Sequence, residues 1–98
     1  MDRTEAIEVA ERRSAELRQL PYSELLSRYS LDEGNKPVWE ETVAPSGIRY
    51  NLKLYAFWDS GPPNLRVWVD ANDGSGRGFA IPVTTTFIVA PDGSFIGE

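Results

Sequence analysis

With no histidine and no cysteine in its 98 residues, the chain lacks the usual proton shuttle near neutral pH, the thiol nucleophile and the commonest nitrogen metal ligand. Many enzyme classes are thereby disfavoured. What remains for chemistry is carboxylates, Lys36, Lys53, hydroxyls and tyrosines. Glu40 and Glu41 are neighbours on a predicted strand, so their side chains leave opposite faces and cannot work as a pair on one substrate. Glu41 is expected to point inward, across from Tyr50. No catalytic, cofactor-binding or metal-binding residue is assigned, no cofactor is implied, and a non-enzyme is expected.

Two loops hold motif-like letters. Asp70-Ala71-Asn72-Asp73-Gly74-Ser75 places three oxygen-bearing side chains near a glycine, as a calcium loop does. The spacing fails, because the glycine and the closing carboxylate fall at the wrong positions. A hairpin turn rich in Asp, Asn and Gly accounts for the same letters. Gly74-Ser75-Gly76-Arg77-Gly78 resembles a phosphate loop in composition only, since it precedes no helix whose N-terminus could bind an anion.

The elements that must position any site are read from periodicity. Ile48, Tyr50, Leu52, Leu54, Ala56 and Trp58 alternate with Arg49, Asn51, Lys53, Tyr55, Phe57 and Asp59, the period of a strand with one buried face. Folding this strand back through residues 59–64 sets Trp58, Ala56, Leu54 and Leu52 opposite Leu65, Val67, Val69 and Ala71. The other face then pairs Phe57 with Arg66, Tyr55 with Trp68 and Lys53 with Asp70: a cation over a ring, an aromatic pair and an ion pair. A slip by one residue would bury Arg66, Trp68 and Asp70 together. Closing 65–72 onto 78–83 would oppose Ala71, Val69 and Val67 to Phe79, Ile81 and Val83. Upstream, Ala44-Pro45-Ser46-Gly47 is expected to turn 37–43 onto 48–54, with Val43 opposite Ile48 and Trp39 opposite Leu52. Ala90-Pro91-Asp92-Gly93-Ser94 signals a last hairpin, with proline presetting the turn and glycine supplying positive φ for a bulge.

Asp2 and Glu5 have capping-box spacing, and Ile7, Ala10, Ser14 and Leu17 recur on one helical face. Glu8 stands four residues before Arg12, and Glu11, Arg13, Glu16 and Arg18 are expected to face water. Pro21 ends this helix, and Tyr22, Leu25, Leu26 and Tyr29 are spaced for burial on a second, short one. The expected architecture is α+β: an N-terminal helix and a short second helix on one face of an antiparallel meander sheet of four to five strands. All of 1–98 forms one domain, with helices at about 2–19 and 21–29 and strands at about 37–43, 48–58, 65–72, 78–83 and 86–90, plus a short one at 94–97.

Fifteen acidic against ten basic residues give a net charge of −5. That balance disfavours a nucleic-acid binder, whose affinity comes from neutralising phosphates. No apolar run approaches the roughly 20 residues of a membrane helix, and a cytoplasmic protein that neither binds nor crosses a membrane is expected. If the long helix covers the inner face, Tyr55, Phe57 and Trp68 meet solvent on the other one with Arg66 and Lys53 beside them, unless the second helix, the 87–96 segment or a dimer mate covers them. Trp, Tyr and Arg are frequent anchors of protein interfaces, so Tyr55, Phe57, Arg66 and Trp68 form the candidate interaction face. Cross-strand pairing alone is the plain alternative.

The phrases Arg66-Val67-Trp68-Val69-Asp70 and Phe87-Ile88-Val89-Ala90-Pro91-Asp92-Gly93-Ser94-Phe95-Ile96-Gly97-Glu98 resemble those of short uncharacterised bacterial α+β proteins that end in a similar hairpin. The resemblance covers the C-terminal half, implies a bacterial, free-standing protein ending near Glu98, and carries no activity. Three function classes stay open. The favoured one is a non-catalytic protein-binding module of immunity or regulator type, whose partner is another protein, with a basic one suiting its acidity, or a second copy in a homodimer. The alternative is small-molecule binding in a cavity between helix and curved sheet, lined by Trp39, Tyr50, Trp58 and Phe79. An enzyme using carboxylate, lysine or tyrosine chemistry comes last.

Overall fold

Asp2 accepts the Glu5 amide at its carboxylate and starts helix α1 (Arg3–Leu17), satisfying one of the donors that a helix N-terminus leaves unpaired. The computed structural model describes residues 2–74 and 82–97. After α1 come a second helix, α2 (Tyr22–Tyr29), and a short 3-10 turn, Leu31–Glu33. A five-stranded sheet follows in the order β1 (Val38–Val43), β2 (Arg49–Trp58), β3 (Leu65–Asn72), β4 (Val83–Val89) and β5 (Phe95–Ile96). Every neighbouring pair is antiparallel. The α+β architecture expected from the sequence is therefore the one observed, with an open sheet.

Both helices lie on one face. Ala6, Val9, Ala10 and Leu17 of α1 and Leu25 and Tyr29 of α2 join the inner residues Tyr50, Leu52, Leu54, Ala56, Leu65, Val67, Val69, Ala71, Val83, Phe87 and Val89 in one buried cluster. The small side chains Ala6 and Ala10 let α1 approach β3 and β4 closely. Ile7, expected in the buried stripe, is 41% exposed, because Val9 takes the core position. Tyr50, fully buried, donates its hydroxyl to Glu5, which also accepts from Ser46. These two bonds tie the β1–β2 turn to the start of α1. Burial foremost, then this bond, pushes the Tyr50 phenol up to about 12.

The β2–β3 register is the expected one at every position from Leu52–Ala71 to Trp58–Leu65. The β1–β2 register is shifted by one: Trp39 opposes Lys53, Glu41 opposes Asn51, Thr42 opposes Tyr50 and Val43 opposes Arg49. The cause is the turn. Gly47, at φ +89°, donates to the Ala44 carbonyl while the Ala44 amide bonds Ile48, which makes a three-residue loop with a glycine bulge in place of a four-residue one. Ala90 and Gly93 repeat this geometry before β5. Glu41 consequently does not face inward opposite Tyr50; it lies exposed on the outer face, paired with Arg49 at 2.6 Å. Glu40 takes the inner side, where Arg13 of α1 grips both its oxygens at 2.8 and 3.0 Å. Arg13 is thus half-buried rather than facing water, and its charged form is favoured first by that bond.

The strand beside β3 is also displaced. Ala71, Val69 and Val67 oppose Val83, Thr85 and Phe87, so Val67 does not meet Val83. The strand expected at 86–90 is β4, which begins earlier, at Val83, and ends at Val89; the one expected at 78–83 shares only Val83 with it among the described residues. Most of the latter, with Phe79 and Ile81, lies outside the described residues. Thr84 and Thr86 explain the register chemically: Thr84 donates to Asp70 and Thr86 accepts from Arg66, so hydroxyls cap the polar outer side chains of β3. No described helix is long and apolar enough to cross a membrane.

Candidate interaction surface

Strand parity sends Lys53, Tyr55 and Phe57 of β2 and Arg66, Trp68 and Asp70 of β3 to the face away from the helices. None of these side chains is buried, and none of the described helices lies over them. The Tyr55 and Trp68 rings stack at 5.9 Å with 5° between planes, and Phe57 stacks on Trp68 at 5.5 Å. Offset stacking of this kind satisfies the ring quadrupoles while screening each ring from water. Tyr55, Phe57 and Trp68 are accordingly half-buried by one another rather than fully exposed.

The charged groups adopt partners that the cross-strand pairing did not foretell. Arg66 does not cover Phe57; it bonds Asp59 at 3.0 and 3.1 Å and stands 6.0 Å from the Trp68 ring. Lys53 turns from Asp70 toward two rings, Tyr55 at 4.9 Å and Trp39 at 5.7 Å. Asp70 instead accepts the Tyr55 and Thr84 hydroxyls. Burial, followed by the Asp70 charge and this bond, raises the Tyr55 phenol to about 12.

The structure brings the four expected residues, Tyr55, Phe57, Arg66 and Trp68, into one layer and adds a fifth. Trp39 of β1, expected to oppose Leu52 on the inner side, lies on the outer face with 63% of its surface exposed. Val43, two pleats along, is 54% exposed. A strip of ring, ammonium, ring, ring and guanidinium thus runs from Trp39 through Lys53, Tyr55 and Trp68 to Arg66. The sequence carried the needed sign in the repeated Ala-Pro-x-Gly of residues 44–47 and 90–93, which sets both turns alike.

On the helix side, a cleft of about 650 Å³ opens between α1 and β1, bordered by Val9, Arg12, Arg13, Glu40, Thr42 and Leu52. It is not the aromatic cavity expected from the sequence: Tyr50 is fully buried, Trp39 is on the opposite face, Trp58 packs against the core and Phe79 is outside the described residues. Asn72 caps the Gly74 amide in the loop with calcium-like letters, at 2.9 Å, as an Asx turn does. Among the described residues no group of three or more acidic side chains converges as a metal site would require. Comparison with family models, with curated proteins and with solved structures gives no match.

Proposed function

We propose that this protein is a non-catalytic recognition module that binds another protein through the outer face of its sheet. One observation carries the reading: the strip from Trp39 to Arg66 is anchored at one end by a ring with 63% of its surface in water, on a face that none of the described helices covers. Stacked rings held by cross-strand contacts are preorganised, so little side-chain freedom is lost when a partner lands on them. Exposed tryptophan and arginine are the residue types that dominate interface energetics. The proposal places the module in the cytoplasm, a setting that its cysteine-free sequence fits.

Affinity capture from extract of the cell of origin, followed by titration of the purified captured protein, tests this. Trp39→Ala should weaken binding by about tenfold or more, and Lys53→Glu should weaken it as well. Equal affinity of both variants and the wild type would remove the outer face from the account.

A further inference from the structure

We infer that the open edge of β1 receives an extended segment of a partner protein as a sixth strand, with a basic residue facing Glu41 and apolar residues two positions away on either side. This deepens the outer-face reading and rests on it, since the added strand would extend the same sheet surface. β1 is the first strand in the sheet order and has β2 on one side only.

Hydrogen-bond alternation identifies which groups are free. Opposed residues in an antiparallel pair alternate between exchanging both backbone bonds and exchanging none. The Ala44 amide bonds the Ile48 carbonyl at 2.9 Å, so that pair is of the bonded kind. Counting back by twos along the unbroken register puts Thr42 with Tyr50, Glu40 with Leu52 and Val38 with Leu54 in the same class. Trp39, Glu41 and Val43 therefore aim their N–H and C=O groups away from β2, toward the open edge.

These are also the three β1 residues whose side chains lie exposed on the outer face. Together they present apolar, anionic and apolar positions in a row; Glu41 accepts Arg49 at Oε1, at 2.6 Å, which leaves its other oxygen for a facing basic residue. Edge strands commonly resist pairing through proline, lysine, a bulge or an inward charge. Val38–Val43 contains no proline and no lysine, and its register with β2 is unbroken. Its inward charge, Glu40, is neutralised by the two-point contact with Arg13. The cleft of about 650 Å³ beside β1 gives room for the inward side chains of an added strand. Arg12, Glu16 and Glu40 stand in its wall, a polar rim suited to hydroxyl-bearing side chains at such positions.

Charge decides the occupant. A second copy would pair with β1 by two-fold symmetry, and because only odd-numbered residues face the edge, the symmetry axis must pass beside a residue. Centring on Glu41 sets Glu41 against Glu41, and centring on Glu40 sets Glu40 against Glu40. Centring on Glu41 opposes like charges, which destabilises a strand pair; centring on Glu40 sets Val43 against Pro37, which lies outside β1 and has no N–H to donate. A foreign segment with lysine or arginine opposite Glu41, between two apolar residues, turns the same contact favourable.

The probe is a capped, fluorescein-labelled heptapeptide, Ser-Val-Thr-Lys-Thr-Val-Ser, compared with its counterpart carrying glutamate in place of lysine. The lysine peptide should bind the protein about tenfold more tightly at low salt, and Glu41→Lys should reverse the order. In amide exchange followed by NMR, binding should slow Trp39, Glu41 and Val43 and leave Glu40 and Thr42 as they were, because those are already bonded to β2. Absence of binding by either peptide up to about 1 mM would overturn the proposal. So would binding that shifts Tyr55, Phe57 and Trp68 without slowing the three amides, a result that would keep the outer face and discard the edge. Loss of partner binding in Trp39→Ala with unchanged binding in Glu41→Lys would likewise discard the edge alone.

Discussion

Trp68 and Trp39 share one sheet face, yet truncating them should have unequal consequences. Trp68 is stacked on Tyr55 at 5.9 Å and on Phe57 at 5.5 Å. Two such ring pairs contribute about 1–3 kcal/mol together, and the apolar area returned to water adds to that. Trp68→Ala should therefore cost about 2–4 kcal/mol, below or near the ~3–5 kcal/mol of a fully buried aromatic. In a chain of 98 residues this lowers Tm by roughly 10–25 °C. Trp39, with 63% of its surface exposed, loses mainly its contact with the Lys53 ammonium, worth about 0.5–1 kcal/mol. Urea unfolding followed by far-ultraviolet circular dichroism compares the two without relying on indole fluorescence. Equal costs for the two variants, or a loss below about 1 kcal/mol for Trp68→Ala, would refute the stacked-layer reasoning. The difference has a practical consequence: loss of binding in Trp39→Ala reports recognition, whereas in Trp68→Ala it would be mixed with loss of fold.

Three further outcomes follow from named contacts. A double-mutant cycle on Arg13→Ala and Glu40→Ala should give a coupling of about 1–2 kcal/mol, because the pair is bidentate and half-buried; a value near zero would mean the inner carboxylate is simply solvated. Tyr50 and Tyr55 ionise at about 12 when folded and near 10 when unfolded, so the folded state holds its protons longer. Stability should be full below about pH 10 and fall as pH rises to about 12, and Tyr50→Phe should flatten that fall in chemical denaturation at a series of pH values. Asp2→Ala removes the cap on the Glu5 amide and should cost about 0.5–2 kcal/mol, read from thermal unfolding, with no change expected in partner binding.

The centre of the sheet was legible because two faces had to make sense at once. Between β2 and β3, apolar residues meet apolar ones inside, while rings and charges meet outside, and only one register achieves both. β1 offered less constraint. Val38–Val43 has glutamates on both faces, so alternation alone allowed a slip. The turn decided it, through a glycine in the left-handed region that shortens the loop to three residues. That slip placed Trp39 on the outer face and exchanged Glu41 for Glu40 inside, where a long-range partner, Arg13, waited. A contact across 27 residues leaves no local trace in the sequence. On β4, Thr84 and Thr86 pair with Asp70 and Arg66 outside while Thr85 fills the inner row.

Division of labour between the two sheet faces gives the molecule its logic. The inner face is consumed by α1 and α2, whose small and branched side chains close the core. The outer face keeps its rings ordered by stacking, and β1 carries at its rim a largely exposed tryptophan and a row of backbone groups that face away from β2. Hydroxyl-radical footprinting of the free protein and of its complex with the captured partner compares these surfaces in one experiment. Trp39 and Val43 should lose reactivity on binding, while Ile7, exposed on α1, should react as before. Protection of Ile7 with Trp39 and Val43 unchanged would assign recognition to the helical side and contradict the account.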